Sequence, residues 1–111
     1  MERDNSAGKS LEAPLKMVMI IANEGLIDFI TEAFRVLGIR GYTRIDNVKG
    51  EGSIVGEPHL GTHIWPGINL MFIVVANATT ARALMDEVRK IDEKEGEPGI
   101  RAFLFNVEAI A

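Results

Sequence analysis

Apolar residues along this chain fall into two similar blocks. Residues 15–22, LKMVMIIA, are apolar at odd and even positions alike, as a strand covered on both faces would be. The next stretch, NEGLIDFITEAFRVLG, changes period. Asn23 suits a helix cap, and Leu26, Ile27, Ile30, Phe34 and Leu37 recur at helical spacing. Asp28, Thr31, Glu32 and Arg35 take the other side, and Gly38 suits the helix end. Residues 39–48, IRGYTRIDNV, then alternate, with Ile39, Thr43 and Ile45 set against Arg40, Tyr42 and Arg44. That pattern predicts a half-exposed strand.

The plan repeats after a glycine-rich interval. INLMFIVVAN predicts a second strand apolar on both faces. ATTARALMDEVRKID predicts a second amphipathic helix, with Ala81, Leu84, Val88 and Ile91 on one stripe. EKEGEPG reads as a turn and IRAFLFNV as a last strand. The halves also match residue by residue. Ile20–Asn23 reads IIAN and Val74–Asn77 reads VVAN, and the helical stripes follow each at the same offset.

Two doubly apolar strands and two alternating ones, in the order βαββαβ, have a natural solution. Strands one and three form the centre of an antiparallel sheet, strands two and four its edges, and both helices cover one face. This is an α+β, ferredoxin-like sandwich. The other face, expected to carry Met17, Met19, Leu70 and Phe72 or their neighbours, needs a partner, so the pattern itself predicts an oligomer. Residues 1–14 are polar, end in Pro14 and read as a flexible N-terminal tail, leaving 15–111 as the domain. The AGKS within the tail lacks the preceding strand and the earlier glycine that a phosphate-binding P-loop requires.

Composition narrows the function. With no cysteine among 111 residues there is no thiolate metal site and no thiol nucleophile. A net charge of -4 provides no general attraction to nucleic acid or to an anionic membrane. No apolar run reaches the roughly 20 residues that span a bilayer, and MERDNSAGKS has no apolar core of a signal peptide. A soluble cytoplasmic protein, without nucleic-acid partners or membrane insertion, is the expectation.

The connection from Lys49 to Pro66 is far longer than a hairpin needs, and connections above about 12–15 residues usually serve a function. Gly50, Gly52 and Gly56 lie on its outgoing limb. HLGTHIWPG, residues 59–67, holds both histidines and the only tryptophan. Pro66 disfavours helix at Trp65.

Here the chain resembles a known family. GYTRIDNVKGEGSIVG looks like the strand-to-loop entry of PII-type signal-transduction proteins, with Gly41, Thr43, Val48, Lys49, Gly50 and Gly52 at matching places. The element order, the large loop after the second strand and the FNVEAI ending agree, so the resemblance spans residues 15–110. It implies a homotrimer whose inter-subunit clefts bind an adenine nucleotide, and a long loop that regulates a partner such as a transporter or an enzyme. The nucleotide-binding residues it implies are Gly41, Tyr42, Thr43, Gly50, Gly52, Gly96, Gly99 and Arg101. Those expected to meet the partner are Glu57, His59, His63 and Trp65. The loop has no tyrosine, so the tyrosine modified in nitrogen-regulating members is missing. Asp92, Glu93, Glu95 and Glu97 crowd the turn before the last strand and repel phosphate, which favours ADP or AMP over ATP.

Two other readings compete. A metal-responsive trimer of the divalent-cation-tolerance type would use His59 and His63, since neutral imidazoles suit zinc, copper or nickel. A small enzyme would need a nucleophile or an acid–base pair. Ser6 and Ser10 lie in the tail and nothing else marks a reaction, so the expectation is no enzyme, no catalytic residues and no essential cofactor.

Overall fold

Two asparagines explain why the sequence repeats. Asn23 and Asn77 each end a central strand and turn the chain into a helical segment. The Asn23 Oδ1 accepts a hydrogen bond from the Gly25 N–H at 2.9 Å, and the Asn77 Oδ1 accepts from the Thr80 N–H at 2.8 Å. Each satisfies an N–H that the first helical turn leaves without a partner.

The computed structural model describes residues 14–49, 68–95 and 99–111. Strand β1 runs Leu15–Asn23, followed by a single 3-10 turn, Glu24–Leu26, and helix α1, Ile27–Val36. Strand β2 is Thr43–Ile45, β3 is Asn69–Asn77, helix α2 is Ala78–Glu95 and β4 is Ile100–Asn106. The sheet is antiparallel in the order β2-β3-β1-β4, with the doubly apolar strands central as their pattern requires. Residues 1–13 of the expected tail lie outside the described residues. Pro14, placed in that tail, has its carbonyl bonded to the Ala78 N–H at 3.0 Å.

The core lies between the sheet and the two helices. Val18, Ile20 and Ala22 of β1 and Leu70, Phe72, Val74 and Ala76 of β3 face Leu26, Ile30, Ala33 and Phe34 on one side of the helix layer and Ala81, Leu84, Val88 and Ile91 on the other. The stripe expected on α2 is the buried one. On α1, Ala33 joins it, while Ile27 is only half-buried. Helix α1 ends in a Schellman turn. Gly38 takes a φ of +73°, its N–H reaches the Arg35 carbonyl at 3.2 Å, and the Ile39 N–H reaches the Phe34 carbonyl at 2.8 Å.

Register decides the other face. Cα partners across an antiparallel ladder share a side. Met19 pairs with Ile73 and Phe103, Met17 with Val75 and Phe105, and Ile21 with Met71 and Arg101. Met17 and Met19 therefore stand on the open face as expected, but Leu70 and Phe72 do not. Their neighbours Met71 and Ile73 take that side, while Leu70 and Phe72 are buried under the helices. A strand apolar at every position carries no parity signal, so only the pairing of Asn23 with Asn69 settles which residues face out.

Strand β2 is also shorter than the alternation over residues 39–48 predicts. Its start is tied up by the Schellman turn. Its end is broken by Asn47, at φ +56°. Thr43–Ile45 pairs with Ile73–Met71, which would bring Asn47 opposite Asn69. Instead the Val48 N–H donates to the Asn69 carbonyl at 2.9 Å. One extra residue has been inserted, as in a β-bulge, and asparagine tolerates the left-handed conformation it requires.

Candidate functional site

One end of the sheet gathers the roots of both segments that the sequence marks as functional. The Val48 N–H bonds to Asn69, and the Ile68 carbonyl accepts from the Glu24 N–H at 2.7 Å. The two ends of the long connection are therefore fastened to neighbouring points, one on β3 and one just beyond the end of β1. The turn before β4 is fastened beside them, because the Asn23 N–H donates to the Gly99 carbonyl at 3.2 Å. Asn23 and Asn69, Cα partners across the ladder, are both buried. Asn69 carried no sequence signal beyond being a polar residue, second in an apolar run.

Gly99 and Arg101 stand together at this end. Gly99 is buried, and Arg101 pairs with Ile21. The Arg101 Nε is shielded from solvent and has no hydrogen-bond partner among the described residues. A guanidinium N–H left without an acceptor away from water is costly, so an anion arriving there gains what the fold does not supply. Arg101 also borders a 170 Å³ recess between α2 and β4, lined by Met85, Val88, Arg89, Asp92, Ile100 and Ala102. Arg89 is held by Asp86 at 2.7 Å. Asp92, Glu93 and Glu95 occupy the last turns of α2, where the helix dipole is already negative. These carboxylates oppose added negative charge at the end of α2.

Gly41, Tyr42 and Thr43 lie on the opposite edge. Tyr42 does not stand free. Its ring is 4.7 Å from Phe34 and 5.7 Å from Phe72, centroid to centroid, and it keeps 45% of its surface exposed. It roofs a 340 Å³ pocket with Thr31, Arg35, Ile39 and Arg40. A Cβ added at Gly41 would meet nothing within 4 Å among the described residues, which do not demand glycine there. Two strands separate this edge from Arg101, and three strand spacings amount to roughly 14 Å. A single chain therefore brings Gly99 and Arg101 together but holds them apart from Gly41, Tyr42 and Thr43.

Gly50, Gly52, Glu57, His59, His63, Trp65 and Gly96 lie outside the described residues. Among the described residues, no group of three or more histidine, aspartate or glutamate side chains is arranged to hold a metal ion. None of the described helices is long and apolar enough to cross a membrane.

Residues 15–111 match the family described as nitrogen regulatory protein P-II. A search of curated proteins finds no match. Among solved structures, CPII from Thiomonas intermedia K12 bound to ADP, AMP and acetate is 19% identical, with a TM-score of 0.66 over 88% of this chain and 90% of that one. The same protein bound to ADP, AMP and bicarbonate is 20% identical, with a TM-score of 0.62 over 88% and 94%. A PII-like signalling protein from Thermus thermophilus is 26% identical, with a TM-score of 0.61 over 85% and 86%.

Proposed function

The chain belongs to the nitrogen regulatory protein P-II family, and from that premise we propose that it is a trimeric signalling protein. It takes up an adenine nucleotide in clefts between subunits and regulates a partner protein through the 49–66 connection. The observation that carries the nucleotide reading is Arg101, whose Nε is buried without an acceptor among the described residues, one residue beyond the start of β4. ADP and AMP fit better than ATP, because the carboxylates at the end of α2 oppose added phosphate charge. The solved relatives bound to ADP and AMP support the same choice.

The strand order supports a site shared between chains. Gly41, Tyr42 and Thr43 on one edge and Gly99 and Arg101 on the other serve one nucleotide only if a second chain closes the gap. The open face supplies a reason for chains to associate, with Met17, Met19, Ile21, Met71, Ile73, Val75, Phe103 and Phe105 on one side of the sheet. Apolar area of that kind gains roughly 25 cal/mol per Å² when covered. A soluble cytoplasmic location is in keeping with this reading. No observation among the described residues favours the metal-responsive alternative with His59 and His63.

Thermal-shift measurements with ADP, AMP, ATP, bicarbonate and divalent metals test the proposal. A ligand at 100 times its dissociation constant adds about 2.7 kcal/mol of stability. Stabilisation by ADP or AMP is expected, and stabilisation by a divalent metal alone would move the assignment to the histidines. Replacing Gly52–Thr62 by a short turn is expected to leave a folded trimer that no longer acts on its partner. Unfolding of that variant would make the connection structural.

A further inference from the structure

Asn23 and Glu24 hold the turn before β4 and the returning end of the long connection with two adjacent peptide N–H groups. Successive N–H groups of a strand point to opposite sides. At the end of the central strand β1, the Asn23 N–H therefore points to β4 and meets Gly99, while the Glu24 N–H points to β3 and meets Ile68. Both bonds continue the ladders one residue beyond the last paired positions, Ala22 with Ile100 and Asn23 with Asn69. The peptide that follows them is held back to Asn23, because the Asn23 Oδ1 accepts from the Gly25 N–H at 2.9 Å. Asn23 is 8% exposed, so the junction is largely closed to water that would otherwise replace a lost bond.

We infer that Asn23 and Glu24 are positioning residues that couple the turn before β4 to the returning end of the long connection. The inference rests on the nucleotide reading above and deepens it. A ligand held by Arg101 favours one setting of Gly99. That setting fixes the Asn23 N–H and hence the orientation of the next peptide, whose N–H holds Ile68. The ligand thus biases where the chain enters β3 without touching it, which is coupling through a contiguous hydrogen-bonded element. The Asn23 side chain matters because its bond to the Gly25 N–H holds the turn that follows the two peptides. The Glu24 side chain is exposed and takes no part.

The geometry offers a narrow test. Glu24 is the first residue of a helical turn, and Asn23 lies at φ −69° and ψ 148°, in the region that a following proline prefers. Glu24→Pro therefore suits the backbone at Asn23 while deleting the N–H donor and setting its ring against the Ile68 carbonyl, and Glu24→Ala keeps the donor and removes only the side chain. Amide exchange over Ile68–Leu70 would be followed with and without saturating ADP, with ADP affinity measured in parallel. In the parent and in Glu24→Ala, ADP should slow this exchange severalfold. In Glu24→Pro the affinity should stay within about threefold of the parent, and the slowing should vanish. If Glu24→Pro does not fold, an ester in place of the Asn23–Glu24 amide deletes the same N–H. A response in either donor-deleted variant equal to the parent's overturns the relay. A parent that does not bind ADP overturns the nucleotide reading and the relay with it, whereas a parent that binds ADP with no slowing over Ile68–Leu70 overturns the relay alone.

Discussion

Arg101 stands directly across the ladder from Ile21, a cation paired with an aliphatic residue on the apolar side of the sheet. Its Nε is buried and without an acceptor among the described residues. A guanidinium left in that state adds nothing to the fold that an apolar residue would not. Arg101→Ala is expected to melt at or near the parent's temperature. Losing a charge-assisted hydrogen bond typically costs about 1.5–3 kcal/mol, so ADP should bind roughly 10- to 150-fold more weakly. Calorimetry that returns unchanged ADP affinity would remove Arg101 from the site.

Ile73 and Phe72 are adjacent but belong to opposite faces, and substitutions should separate them. Phe72 is fully buried beneath the helices. Phe72→Ala should lose about 3–5 kcal/mol and unfold much of the protein in mild denaturant. Ile73 lies on the open face, paired with Met19 and Thr43. Ile73→Lys should leave each chain folded and break the oligomer, because a charge in the covered face has no partner. Circular dichroism with light scattering distinguishes the two. An Ile73→Lys variant that stays trimeric would show that the open face is not the interface.

Tyr42 closes the aromatic group with Phe34 and Phe72, and its ring rather than its hydroxyl makes that contact. Tyr42→Phe should keep the parent's stability. Tyr42→Ala should lose at least the roughly 0.5–1.5 kcal/mol that aromatic pairs contribute beyond buried area, read from urea unfolding. If the exposed part of the ring also lines the nucleotide cleft, ADP affinity should fall in Tyr42→Ala and survive in Tyr42→Phe. Equal affinity in all three proteins would confine Tyr42 to packing.

The element order and the sheet order were legible because hydrophobic period distinguishes doubly covered strands from helices. The stripe Ala81, Leu84, Val88, Ile91 is the buried face of α2, and IIAN and VVAN are two capping sites at equivalent places. The facing of β3 was not legible. Leu70, Met71, Phe72 and Ile73 are all apolar, and only pairing with β1 assigns them to sides. The end of β2 was hidden as well, since a bulge at Asn47 leaves the alternation of Arg44 and Ile45 undisturbed before it. Of the candidate site, Gly99 and Arg101 were named through the family resemblance, and the structure places Gly99 just before β4 and Arg101 within it. The junction at Asn23 was read only as a cap, because backbone bonds to Gly99 and Ile68 arise from residues far apart in the chain.

Sedimentation of the intact protein with ADP, followed at the nucleotide's absorbance, tests the central claim most directly, since it reads assembly and binding in one boundary. The nucleotide is expected to sediment with a species of three chains, at one ADP per chain when saturated. A boundary at the mass of a single chain, or ADP left behind while the protein sediments, would contradict the account.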